Sequence, residues 1–283
     1  MPRLSVTGKP VRCLTFRLVL CVMLLASCGY TSAANSVSLS PTRVDPSEVI
    51  NPPLASGPLN ELHMARLVFA HGPHSNWGPG RPWWRIDWPS AEYFFTSGLQ
   101  RYTLIDTSGD SVHVSLLEDS VFDYPWLFAQ QVGRWQLSAQ ETAVLREYLL
   151  RGGFLVVDDF HGPDQWDQFE SVIKRVLPEF DISDLSASDA LMNVLYELDQ
   201  RTQIPGRRHL RGGAGGQVTV DMPYSPARWR GIHDSEGRLM VAVNFNMDMG
   251  DAWEHADDPV YPVPMTSLAY RFGINYVVYA LTH

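Results

Sequence analysis

Asp158-Asp159-Phe160-His161 sets two adjacent carboxylates and an imidazole within four residues. Side chains of these types hold a divalent metal, or act as acid and base on a polar ligand. A second concentration follows Asn244: Asn246, Asp248, Asp251, Trp253, Glu254, His255, Asp257 and Asp258. Carboxylates at that density suit a cation. With the indole stacked on a ring and the carboxylates taking hydroxyls, they also suit a sugar. The acids ahead of Gly250 do not have the spacing of an EF-hand. A third group, His71, His74, Trp77, Trp83, Trp84, Arg85, Asp87 and Trp88, offers Arg85 and Asp87 to orient a ligand. Its aromatics read as packing for the loop, since large apolar side chains seldom stay exposed in such numbers. The plainer alternative for both acidic groups is a strand end followed by solvated loop, which an acidic protein has in plenty.

Other chemistry is excluded. Cys13, Cys21 and Cys28 are the only cysteines, so the rest of the chain has no disulfide, no cysteine-based zinc site and no cysteine nucleophile. There is no Gly-x-Ser-x-Gly elbow, no dinucleotide fingerprint and no His-Glu-x-x-His. Of the 22 Lys and Arg, four lie in residues 1–28, which leaves 18 against 31 Asp and Glu. A body that acidic is a poor nucleic-acid binder, because phosphate contacts need clustered bases.

The elements that must position these residues alternate between strand and helix. Leu62 to Ala70 reads as a first strand, Pro89 to Leu99 as a helix, and Val112 to Leu117 and Trp126 to Ala129 as strands. Ser138-Ala139-Gln140-Glu141 has capping-box spacing ahead of Val144, Leu145, Tyr148 and Leu149, and Gly152-Gly153 supplies the stop. Phe154-Leu155-Val156-Val157 reads as a buried parallel strand. Asp158 to Pro163 is expected as a loop, with Asp164 capping a helix through Phe169, Val172, Ile173 and Val176. Leu239 to Asn244 is a later strand and Met265 to Leu281 a closing helix. Arg207 to Gly216 reads as a flexible surface loop. The pattern predicts one α/β domain, a mainly parallel sheet flanked by helices.

The N-terminus carries an address. Arg3, Lys9, Arg12 and Arg17 precede an apolar run from Leu18 to Ala26, too short to span a bilayer. Leu25-Ala26-Ser27-Cys28-Gly29 resembles the bacterial lipobox, in which the cysteine is diacylated and becomes the new N-terminus. Cleavage near Ser32-Ala33-Ala34 as a secreted protein, and an uncleaved anchor, are the alternatives. Residues 1–28 are expected to be a signal peptide, 29–60 a disordered tether and 61–283 the folded domain. The expected location is the outer membrane or the periplasm, reached as a lipoprotein through Cys28.

Ala65-Arg66-Leu67, Trp88-Pro89, Tyr124-Pro125, Leu145 through Asp159, Gly250 through His255 and Ala269 through Ala280 together resemble a bacterial domain-of-unknown-function family, number 4159. The resemblance runs from about Leu62 to His283. It implies a flavodoxin-like, class I glutamine amidotransferase-like fold and a cell-envelope setting, and it names no reaction. Glutaminase chemistry by the amidotransferase triad is ruled out because the body has no cysteine.

Ligands in open α/β sheets bind beyond the carboxyl ends of the strands. Asp158, Asp159 and His161 are therefore expected to face Asp248 across one cleft, with Asp251, Trp253, Glu254 and His255 as its second wall. Arg85, or a divalent cation, would balance the carboxylates. No other cofactor is expected. The sequence favours a non-catalytic envelope module that binds a polar ligand or a protein. The alternative is a carboxylate- or metal-dependent hydrolase of a saccharide or envelope polymer. The partners expected are the membrane, through the lipid anchor, and an envelope protein or saccharide.

Overall fold

The computed structural model describes residues 61–71, 82–199, 201–212 and 217–283. The expected signal peptide, Cys28 and the tether lie outside the described residues, as do His74 and Trp77. Seven strands form one sheet: β1 (Ala65–Val68), β2 (Val112–Ser115), β3 (Trp126–Gln130), β4 (Phe154–Phe160), β5 (Ile182–Asp184), β6 (Arg228–His233) and β7 (Leu239–Phe245). Their order is β2-β1-β3-β4-β7-β6-β5. The first five in that order are mutually parallel, and β6 and β5 continue the sheet antiparallel. The parallel part has flavodoxin-like connectivity, in which the order reverses between β1 and β3.

The central strands are apolar throughout because both of their faces are covered. Trp126 and Phe128 of β3, Phe154 and Val156 of β4 and Ala242 of β7 enter one core, while the alternate Leu127, Ala129, Leu155, Val157, Val241 and Val243 enter the other. Helices α1 (Ser90–Tyr102), α4 (Met249–Glu254) and α5 (Val263–Thr282) cover the first face through Phe95, Trp253 and Phe272. Helices α2 (Ala139–Leu150) and α3 (Gly162–Val176) cover the second through Leu145, Tyr148, Phe169 and Ile173. The α2 capping box forms as expected. Glu141 N donates to Ser138 Oγ at 3.2 Å and Ser138 N donates to Glu141 Oε2 at 2.8 Å, a cap worth about 1 kcal/mol.

Four expectations need correction. Strand β4 does not end at Val157 but runs to Phe160. Val157 pairs with Val243 and Phe160 with Phe245, so two residues of β4 face one of β7. Asp159 absorbs the extra residue as a bulge with a left-handed φ of 52°. The helix after it starts at Gly162, with His161 and not Asp164 at its N-cap position. Gly162 can take the positive φ of 75° needed there, and its N–H donates to Asn246 Oδ1 at 2.9 Å.

Residues 249–254, expected as loop, are a short helix. The described part of the Arg207 to Gly216 stretch is at the surface but is not irregular, and residues 213–216 lie outside the described residues. Arg207–His209 form one 3-10 turn, and Leu210–Gly212 pair antiparallel with Val218–Val220. Strands β5 and β6 have no counterpart among the expected elements. Arg228, Arg230 and Gly231 break the apolar run of β6, although Trp229 and Ile232 are buried. At this edge Arg228 and Arg230 reach Asp184 at 3.2 and 3.0 Å.

Candidate functional site

The carboxyl ends of β3, β4 and β7 and the segment after β1 converge on one group of acids. Asp158 is fully buried, and its Oδ2 accepts from Met249 N at 2.7 Å and Gly250 N at 3.1 Å. Asp248 Oδ1 accepts from Asp251 N at 2.9 Å. One carboxylate on β4 and one at the α4 N-cap thus satisfy the amides that open α4. Gly250 must be glycine, because a Cβ would run into the Gln130 amide and Asp87. At the bulge, Asp159 accepts from Gln131 Nε2 through one oxygen. Its other oxygen lies 3.0 Å from His161 Nε2.

Possible ligand atoms form a connected series. One atom each from Asp159, His161 and Asp248 lies within 4.8 Å of the others, and all three residues are buried. The same holds for Asp87, Asp248 and Asp251, and for Asp251, Glu254 and His255. Asp248 and Asp251 are shared, so the three groups adjoin. Gly206 closes over them, since a Cβ there would lie 2.9 Å from Asp248 Oδ2 and 3.1 Å from Asp251 Oδ2. The neighbouring Arg207 N donates to Asp251 Oδ2 at 2.7 Å.

The electrostatics follow from the crowding. Burial, then the charges of Asp251, Asp159 and Glu254, push the Asp87 pKa well above the usual carboxylate range. Burial and Asp159 raise Asp158 likewise, against the pull of the Gly250 and Met249 amides. Burial, Asp159 and Asp251 raise Asp248. Carboxylates packed this way hold protons unless a cation balances them. Asp158 Oδ1 and His161 Nδ1 are buried without a hydrogen-bond partner among the described residues. The positive-φ residues other than glycine among those described are Asp87, Gln131, Asp159 and Asn246. All four lie around this group, and sparsely populated backbone conformations gather at functional sites.

Asp158, Asp159, His161, Asp248, Asp251, Glu254 and His255 therefore come together as the sequence suggested. One residue does not join them. Trp253 lines no cleft; it is fully buried, with its ring 4.5 Å from Phe95 and 5.3 Å from Phe128. The α4 helix turns it away from the acids and into the core. Arg85 lies in the turn that leads to Asp87. Its charge acts on His113, whose pKa falls to about 4 through burial, Arg66 and then Arg85.

Sequence reasoning missed several neighbours. Gln130 Nε2 donates to Asp87 Oδ2 at 2.6 Å, bridging the reversal between β1 and β3. Gln130 Oε1 accepts from the buried Arg66 at 2.5 Å, and Arg66 is ion-paired with Glu92. Gln131 Oε1 accepts from Arg134 Nε at 2.9 Å. Two consecutive glutamines ending the apolar run Trp126 to Ala129 were the available signal, since polar residues at a parallel strand's carboxyl end face the ligand edge.

Among the described residues no helix is long and apolar enough to cross a membrane. No curated protein matches the chain. The family model described as a domain of unknown function, DUF4159, matches residues 68–281, which takes in the whole sheet from the end of β1 and every acid of the group. The chain belongs to the DUF4159 family.

Proposed function

We propose that the chain is a non-catalytic binding module on an amidotransferase-like scaffold without a cysteine nucleophile. Its ligand gathers on a divalent cation held by Asp159, His161 and Asp248. The observation that carries this reading is the enclosure of those ligand atoms within 4.8 Å of one another, beside the unpartnered His161 Nδ1 and Asp158 Oδ1. A buried polar atom left open costs about 1–3 kcal/mol, and a cation with its bound water gives such atoms partners. The raised carboxyl pKa values support the same reading, with protons standing where a cation would balance the charge. Two carboxylates and an imidazole suit Mn2+ or Zn2+ better than Ca2+, which prefers oxygen alone.

Calorimetric titration of the full chain with Mn2+ should show saturable binding. Asp248→Asn, which keeps the volume and the α4 cap, should weaken it about 100-fold. Equal affinity in the variant, or no heat with the wild type, removes the reading.

A carboxylate- or metal-dependent hydrolase is the second reading. It is favoured by Asp87, whose pKa is raised by desolvation and by the neighbouring acids, the direction a general acid needs. The burial of Trp253 takes the stacking platform from the saccharide substrate expected for such an enzyme.

The module's proposed setting is the cell envelope, with diacylated Cys28 as its membrane anchor, inferred from Leu25-Ala26-Ser27-Cys28. Cys28→Ala should abolish acyl labelling and release the chain from the membrane fraction. Membrane attachment unchanged in the variant, with no label in the wild type, would remove the lipoprotein reading.

A further inference from the structure

Two arginines stand one residue away from candidate cation ligands. Arg134 Nε donates to Gln131 Oε1 at 2.9 Å, and Gln131 in turn holds Asp159. Arg208 Nε donates to His209 Nε2 at 3.0 Å, and the His209 ring lies 6.5 Å from that of His161. The His209 tautomer is set from both sides: Nε2 accepts from Arg208, so Nδ1 carries the proton and donates to Asp221 O at 3.0 Å. Arg134 lies 4.5 Å over the Trp83 ring, a contact that holds the guanidinium plane in place. The Nη atoms of Arg134 donate to no group among the described residues.

The two guanidiniums also feel one another. Burial lowers the Arg134 pKa and so does the charge of Arg208, while Asp159 opposes them. The two arginines flank the Asp159–His161 pair, one through Gln131 and one through His209, and once Asp159 is given over to a cation both need another counter-charge.

We propose that Arg134 and Arg208 bind the phosphoryl group of a phosphate monoester, which bridges them to the cation. This deepens the cation reading above and rests on it. A guanidinium fork matches the oxygens of a phosphoryl group. A phosphoryl group carries about −1.5 to −2 at neutral pH, so it can serve two guanidiniums and a cation at once. A carboxylate brings a single charge and leaves one guanidinium unbalanced.

The probes are Mn2+ and inorganic phosphate on the full chain, read by calorimetry. In the wild type, phosphate should tighten Mn2+ binding about tenfold, within the usual range of coupling between two ligands. In Arg134→Gln/Arg208→Gln that gain should fall below about twofold. Mn2+ affinity without phosphate should rise in the same variant, because two positive charges leave its surroundings. A collapsed site would lower that affinity instead. Should the double variant fail to fold, Arg208→Gln alone, at an exposed residue, is read the same way.

No gain with phosphate in the wild type, or a gain that the variants retain, overturns the proposal. So does acetate producing an equal gain, which would make the ligand a carboxylate. If Mn2+ does not bind at all, the cation reading fails by itself. Phosphate heat measured without metal and lost in the variants would then still support the arginine pair, and its absence would overturn it.

Discussion

Arg66→Ala is expected to cost about 3–5 kcal/mol of folding stability, the range found when a buried ion pair loses one partner. Arg66 is fully buried in β1 between Ala65 and Leu67, and its partner Glu92 on α1 is buried as well. Its Nη1 also donates to Trp84 O at 3.0 Å, Ile86 O at 2.9 Å and Gln130 Oε1 at 2.5 Å. Alanine would leave a carboxylate charge and these acceptors in the core without partners. The arginine also ties α1, the segment before it and β3 to one point. Gln130 would lose the contact that orients its amide toward Asp87, so the acid group should loosen too. Urea unfolding of the variant measures the loss. A change below about 1 kcal/mol would mean that the pair carries little. Replacing both partners with methionine should recover much of the stability, because apolar side chains of similar volume leave no charge behind.

The second expectation concerns pH. Folding raises the pKa of Asp87, Asp158 and Asp248 above its unfolded value near 4. Each carboxyl then binds its proton more tightly in the folded chain. The stability this contributes is complete below about pH 4 and is lost as pH rises through the folded values. Each tenfold tightening of a proton is worth about 1.4 kcal/mol. In chelator, the melting temperature should therefore fall as pH rises above the range in which ordinary solvated carboxylates titrate. Added Mn2+ should reverse the trend, with a stabilisation that grows as pH rises and protons stop competing for the same oxygens. A melting temperature that is flat above this range, with and without Mn2+, would show that the acids find their balance elsewhere. Asp158→Asn should flatten the chelator profile in part, since its amide oxygen can still accept from Met249 and Gly250 without a charge.

The parallel core was legible because its signals are local. Phe154 to Val157 is an unbroken apolar run after a glycine stop, and Ser138 with Glu141 marks a helix start by spacing alone. The missing elements are short and mixed. In α4, Met249, Ala252 and Trp253 face the core while Asp248, Asp251 and Glu254 share the other side at helical spacing. That pattern spans too few residues to stand out from a polar loop, and so the sequence alone places Trp253 among the polar residues of a cleft. The aspartates of the site were legible from one rule, that ligands meet the carboxyl ends of parallel strands. Gln130, Gln131, Arg134 and the Arg207 to His209 turn were not. The position of Gln130 and Gln131 at a strand end was a local signal, but their partners, like those of Arg134 and the turn, are contacts between residues far apart in sequence, such as Arg207 with Asp251 and Gln130 with Asp87.

The ending of the sheet at β5 bears on how copies of this chain behave when crowded. An open strand edge invites another chain to add to it, and long, flat, apolar edges do so most readily. Here the last strand is three residues long, with Ser183 and Asp184 exposed, and Asp184 is already engaged by Arg228 and Arg230 of its neighbour. A newcomer would find few free amides and carbonyls in register, and would have to approach a cluster of charge that it cannot desolvate cheaply. The same short, charged residues that hid β5 from sequence reasoning guard this border against edge-to-edge aggregation.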